Sequence, residues 1–144
     1  MSAVRVRPLI MAVSLAAAGA SLIALPSPAL AKDAFCAKFL AIQTGMGVVD
    51  FEEITKHIPD LAKVAKLFKD GESSAPAAIK SDFKTMSGVI QEVNGQVQKV
   101  KGLTEKQAQA KLAGLEASMQ KLSDKVGYQK AIANVGKWYG TACK

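Results

Sequence analysis

The side chains best equipped for chemistry in this sequence are few: His57 is the only histidine, and Cys36 and Cys143 are the only cysteines. Nucleophilic catalysis needs a base held against a serine or cysteine. His57 stands directly before Ile58 and Pro59, with no serine or cysteine placed near it by local spacing, and Glu53 one turn earlier is its expected surface partner. The spacing therefore predicts an ordinary histidine near a helix end, and no catalytic residue is assigned. Metal binding is supplied no better. Structural zinc wants a cysteine and histidine set and catalytic zinc three protein ligands. The acidic run Asp50, Glu52 and Glu53 lacks the alternating oxygen ligands and central glycine of a calcium loop, and reads as a helix start whose carboxylates complement the dipole. No glycine-rich phosphate loop of the strand-to-helix kind is present. The residues predict neither a metal nor a cofactor, and no enzyme.

The cysteines read as a disulfide, because the start of the chain reads as an export signal. Arg5 and Arg7 form a short basic region, no charged side chain follows from Pro8 to Ala31, and Leu9 to Leu25 is an apolar stretch broken by Pro26 and Pro28. Ala29-Leu30-Ala31 offers the small residues that a signal peptidase reads, so residues 1–31 are expected to leave and the mature chain to start at Lys32. An uncleaved anchor is the alternative, since the apolar run is at the lower end of what spans a bilayer. A lipoprotein would need its cysteine at the cleavage point, whereas Asp33-Ala34-Phe35 stands between that point and Cys36. Export places the cysteines where pairing is the default, and two cysteines allow one connectivity. Closing a loop of about a hundred residues stabilises a fold by roughly 4 to 5 kcal/mol at most. A domain of about 113 residues, near the size where one core gives modest stability, gains from such a staple.

Both arginines belong to the signal, so residues 32–144 carry 17 Lys against 12 acids and no Arg. Arginine makes the bidentate contacts to phosphate and base edges, so specific nucleic-acid binding is not expected. The lysines are unevenly placed. Residues 99–144 hold nine Lys against Glu105, Glu116 and Asp124, while residues 32–98 are slightly acidic. The plain reading is a solvated lysine surface. The functional one is electrostatic attraction to an anionic envelope polymer or membrane surface, with Lys121, Lys125 and Lys130 as candidate contacts.

The elements that must position these residues are helices, since apolar residues fall at helical spacing almost throughout and no strand alternation or internal repeat occurs. A first helix is expected after Asp33 as cap, with Phe35, Cys36, Phe39 and Leu40 on one face, interrupted at Thr44-Gly45-Met46-Gly47. Asp50 with Glu53 resembles a capping box for a short segment Phe51 to Ile58, and Pro59 marks the next boundary. Leu61, Val64, Leu67 and Phe68 give a further amphipathic stretch that Asp70-Gly71 ends; Glu72 to Ala75 reads as a loop, with Pro76 at a first helical position. The strongest pattern comes next. Ile79, Phe83, Met86, Ile90, Val93, Val97 and Val100 step by four and three, a heptad seam that Gly102 stops. Thr104 and Gln107 make a second capping box, flanked by Leu103 and Ala108 as a staple, and Ala108, Leu112, Leu115, Met119, Leu122 and Val126 repeat the seam. So short a connection makes the pair antiparallel. Gly127 shifts the phase, and Tyr128, Ile132, Val135, Trp138 and Tyr139 lead to Cys143. The fold expected is all-α: one domain over 32–144, a three- or four-helix bundle with a central antiparallel helical hairpin and a terminal disulfide.

One sharper hypothesis concerns the aromatic residues. Phe39, Met86, Met119, Tyr128, Trp138 and Tyr139, with Phe35, could line an apolar pocket for haem or a lipid, with His57, Tyr128 or Tyr139 as axial ligands. The plainer reading is bundle core, with Tyr and Trp at its edge to satisfy their polar atoms. The layout resembles the small secreted helical-bundle proteins of actinobacteria: an alanine-rich signal, Asp33, Phe35, Cys36 and Ala37 early in the mature chain, Ala75-Pro76 ahead of a long helix, and Trp138 to Cys143 at the end. That resemblance implies a helical fold and an extracellular or cell-wall location, and brings no activity with it. Secreted haem carriers of those organisms are also small and helical, but no ligand motif is shared around His57. Two function classes follow: a non-catalytic secreted binding or structural protein, and, as the alternative, a carrier of a small apolar ligand.

Overall fold

A computed structural model describes residues 29–144. The expected signal, residues 1–31, lies outside the described residues except for its last three. Six helices occur among the described residues: α1 (Ala29–Val48), α2 (Ile54–Ser74), α3 (Lys80–Gln98), α4 (Glu105–Leu112), α5 (Leu115–Val126) and α6 (Tyr128–Ala142). The all-α fold and the disulfide are as the sequence predicts. Cys36 on α1 and Cys143 just beyond α6 are joined, with Cα atoms 5.6 Å apart and a sequence separation of 107.

The heptad seam is the spine of the core: Ile79, Phe83, Met86, Ile90, Val93, Val97 and Val100 are all buried. α3 packs most extensively against α2 and α6, and α1 covers α2. Phe83 lies at the centre, with ring centroids 5.1 Å from Phe35, 5.5 Å from Phe68 and 6.4 Å from Phe39. It joins aromatic rings of α1 and α2 to α3 from one position on the seam.

Several expected boundaries are not there, and close packing explains two of them. α1 runs on through Gly45 to Val48, because Gly45 is a contact residue: a Cβ on it would stand 2.7 Å from Val64 Cγ2. α2 likewise continues past Gly71 to Ser74, and a Cβ on Gly71 would stand 2.8 Å from two ring atoms of Phe83. Residues 72–74 are thus helix, not loop, and Lys38 Nζ donates to the Asp70 carbonyl near the end of α2 at 3.3 Å. Pro59 is inside α2, exposed, and gives no N–H to the Thr55 carbonyl four residues back. Asp33 is an internal residue of α1, so it caps no helix in the full chain. In a chain cut before Lys32 it would fall in the first turn, where a carboxylate complements the helix dipole. Pro76 opens a turn, with the Ile79 N–H donating to its carbonyl at 3.0 Å, and α3 begins only at Lys80.

The cap of α2 also comes from elsewhere. Asp50 accepts from the Glu52 N–H at 2.8 Å, and Glu53 at the N-cap makes no side-chain cap bond. The acceptor is Glu105 from α4, which takes the Thr55 N–H at 3.1 Å and its hydroxyl at 2.5 Å. Burial pushes the Glu105 carboxyl up, but the bonds from Thr55, Gln109 and the Ile54 backbone outweigh it and hold the group below its ordinary value. Gln109 donates to the Phe51 carbonyl at 2.8 Å and completes the lashing of α4 to the start of α2.

The capping box of α4 is as predicted: the Thr104 N–H donates to Gln107 Oε1 at 3.0 Å and the Gln107 N–H to Thr104 Oγ1 at 3.4 Å. Gly102 and Gly127 adopt φ of 82° and 68°, the left-handed region that favours glycine. Gly127 caps the end of α5, but α3 already ends at Gln98, so Gly102 serves the turn that follows and does not stop the helix itself. The return from α3 is two helices, however. Ala113 and Gly114 break it, and α5 touches α3 more sparsely than α6 does. Of the second seam only Ala108 is buried; Leu112, Leu115, Met119 and Leu122 are half-buried, and Val126 is 41 % exposed. The buried residue of α5 is Ser123, whose Oγ has no hydrogen-bond partner. At about 100° per residue it points roughly 70° away from the middle of the apolar stripe. The small serine lies deepest, while the leucines pack half-buried against the margin of the core.

Candidate binding surfaces

His57 is in the first two turns of α2, and its partner is Asp60, not Glu53: Nδ1 lies 3.2 Å from Asp60 Oδ2, while Glu53 pairs with Lys56 at 2.7 Å. Three residues on is a tighter reach than four back here, because Glu53 sits outside the helix at its N-cap. Among the described residues no group of three His, Cys, Asp or Glu side chains is placed to hold a metal ion.

The six candidate pocket residues fall in more than one place. Phe39 and Tyr139 meet beside the disulfide with ring centroids 5.0 Å apart, and Trp138 stands edge-on to Phe35 at 5.6 Å. Tyr128 is at the other end of α6, about 16 Å along its axis from Tyr139. It is buried, and burial pushes its hydroxyl up to about 12. Met86 is buried on α3 and Met119 half-buried on α5. The structure thus brings together Phe39, Trp138 and Tyr139, which pack ring against ring with Phe35, and it sets Tyr128 apart from them. His57, on the first turns of α2, is a third location.

The charged side chains divide sharply. All five ion pairs found among the described residues lie between Glu53 and Glu72: Lys56 with Glu53, His57 and Lys63 with Asp60, Lys66 with Asp70, and Lys69 with Glu72. Among the described residues none of the nine lysines from Lys99 to Lys144 has one. The acids of that half are occupied otherwise or outnumbered. Glu105 is bound by Thr55 and Gln109, and Asp124 accepts from Gln120 Nε2 at 2.8 Å. Lys121 and Lys125 are exposed one turn apart on α5, and Lys130 is exposed in the first turn of α6, across Gly127. Nine lysines against three acids leave an excess of six positive charges on this half, whereas residues 32–98 hold eight lysines against nine acids.

The excess of lysine over acid beyond Gln98 was visible in the sequence, but the gathering of the ion pairs in residues 53–72 was not. Pairs at three- and four-residue spacing along residues 53–72 were the signal that could have revealed it. A second exposed feature, a recess between α1 and α2, was missed outright, because Leu40 was placed on the buried face with Phe39; Leu40 is in fact 54 % exposed. No helix among the described residues is long and apolar enough to cross a membrane. No protein-family model matches the chain, and neither does any curated protein or any solved structure.

Proposed function

We propose that this chain is an exported, non-catalytic binding protein that holds to an anionic surface of the cell envelope through the lysines of residues 99–144. One observation carries the reading: among the described residues every ion pair lies in residues 53–72, and the nine lysines beyond Gln98 have none. Like charges crowded on one half repel one another, and a polyanionic surface relieves that repulsion. The eight lysines of residues 32–98 are balanced by nine acids, whereas the nine beyond Gln98 face three. Export is supported by the basic and apolar leader pattern before Lys32 and by the Cys36–Cys143 bond, which suits an oxidising compartment.

The contact is made by ammonium groups without arginine forks, so it is weak and screened beyond a Debye length of about 8 Å at physiological salt. Sedimentation with anionic vesicles or wall polymer tests it. Binding falls steeply as salt rises and falls further in the variant Lys121→Gln/Lys125→Gln/Lys130→Gln, while His57→Ala leaves it unchanged. A carrier of haem or lipid inside the bundle has less support, because Phe39, Tyr139, Phe35 and Trp138 would have to part to admit a ligand. It predicts binding that ignores salt and is lost in Trp138→Ala.

A further inference from the structure

The apolar stripe of α5 is rotated out of the core. At about 100° per residue, Leu115, Met119, Leu122 and Val126 fall within about 60° of one another, and the buried Ser123 lies about 70° to one side of their middle. That rotation leaves Leu115, Met119 and Leu122 half-buried and Val126 41 % exposed. Lysine borders the stripe on its solvent side. Lys125 and then Lys121 come next round the helix away from Ser123, about 90° and 130° from the middle of the stripe. Both are exposed, and neither has an ion pair among the described residues. The acids of α5 lie the other way, Glu116 about 20° beyond Ser123 and Asp124 about 100° beyond it. Three large apolar side chains stand exposed among the described residues. Leu40 and Val48 fall in the uncharged stretch from Phe39 to Val49, whereas Val126 has Lys121 and Lys125 along its margin.

We propose that α5 meets an anionic lipid bilayer, its Leu122 and Val126 edge entering the headgroup margin while Lys121, Lys125 and Lys130 hold anionic headgroups. This rests on the electrostatic reading above and names its surface as lipid in place of wall polymer. A wall polymer offers anions to the lysines but no hydrocarbon to the edge beside them. A bilayer takes both. In an interfacial helix the apolar face enters the acyl boundary, and lysine stems run along it so that the ammonium groups stay among the headgroups. Each lysine near an anionic leaflet adds attraction, and the edge alone is too small to hold the chain to neutral lipid. No unfolding is needed to present it. Val126 ends α5 beside the left-handed Gly127, and Lys130 is exposed in the first turn of α6 just past that turn.

Sedimentation of the exported protein with anionic vesicles, and separately with isolated wall polymer, distinguishes this proposal from the electrostatic reading. Val126→Ser changes no charge and removes apolar surface at an exposed site. It should weaken vesicle binding about three- to eight-fold, the share of a buried valine that is still exposed here, and leave wall-polymer binding as it was. Leu40→Ser, a like loss of exposed apolar surface on α1, should change neither, and circular dichroism melting verifies that both variants stay folded. Val126→Trp should tighten vesicle binding, and brominated acyl chains should quench its emission beyond the wild type's, whose single Trp138 packs on Phe35. Vesicle binding that Val126→Ser leaves unchanged, or quenching of Val126→Trp no greater than the wild type's, overturns the insertion of α5. If Lys121→Gln/Lys125→Gln/Lys130→Gln still weakens that binding, the electrostatic reading stands without it. Binding to wall polymer and not to anionic vesicles has the same meaning, and a chain that binds neither overturns both.

Discussion

Replacing Gly71 by alanine sets two effects of opposite sign against each other. In a helix interior alanine is better than glycine by about 1 kcal/mol. At position 71, however, the new Cβ would stand 2.8 Å from Cε1 and Cζ of Phe83, closer than such atoms come in folded proteins. Phe83 is fully buried and is held by Phe35, Phe39 and Phe68, so its ring cannot swing away without moving three others. Overpacking of that kind costs about 1 to 3 kcal/mol, and a ring held on several sides belongs in the upper part of that range. The net expectation is a loss of about 1 to 2 kcal/mol, several degrees in melting temperature for a domain of this size. Gly88 on α3 provides the control, because a Cβ there meets nothing within 4 Å. Gly88→Ala should therefore stabilise by up to about 1 kcal/mol. Urea titrations of the two variants beside the wild type measure both. If Gly71→Ala shifts the midpoint upward as Gly88→Ala does, Phe83 is not clasped against α2 and the account of the core is wrong.

Glu105→Gln should cost about 1 kcal/mol at neutral pH, the difference between charged and neutral acceptors for Thr55. Because folding lowers the Glu105 pKa, its contribution is complete above the ordinary carboxylate value of about 4.3 and is lost as pH falls through the folded one. The gap between wild type and variant in denaturant titrations should then close under acid. Opening the disulfide by Cys36→Ser/Cys143→Ser should lower stability by up to about 4 to 5 kcal/mol, given a sequence separation of 107 between the cysteines, and a melting point unchanged in that variant would contradict it. Val93→Asp puts an unpaired carboxylate at a position only 1 % exposed and should unfold the domain, which far-ultraviolet circular dichroism reads directly.

What the sequence made legible followed its periodicity. The seam from Ile79 to Val100 was plain because seven apolar residues at steps of four and three admit one helix face, and all seven are buried. The Thr104 to Gln107 box was plain because both halves of the signal lie within one turn. Punctuation misled where a residue served packing: Gly45 and Gly71 read as helix ends, yet each is small so that Val64 or Phe83 can come close. Nothing local could show that Glu105 caps a helix fifty residues earlier, for that cap exists only once α4 lies against α2. The second seam was read as a repeat of the first, but Ala113-Gly114 divides it and Ser123 is buried more deeply than its leucines. Of the candidate sites, the lysine asymmetry was legible from counting. The spread of the aromatic residues along α6 was legible too, since Tyr139 stands eleven positions after Tyr128, but the packing of Trp138 on Phe35 and of Tyr139 on Phe39 was not, because it joins the two ends of the chain.

The central claim is that the half of the chain beyond Gln98 holds to an anionic surface by charge. Its most direct test is the salt dependence of binding to vesicles of anionic and of neutral lipid, and to isolated wall polymer, for the wild type beside Lys121→Gln/Lys125→Gln/Lys130→Gln. Each ammonium that meets an anionic group displaces counterions, so the logarithm of the affinity should fall linearly with the logarithm of salt, and the triple variant should bind more weakly with a shallower slope. Neutral vesicles should bind neither protein. Binding that is equal on neutral and anionic surfaces, or a slope that the three substitutions leave unchanged, would contradict the claim.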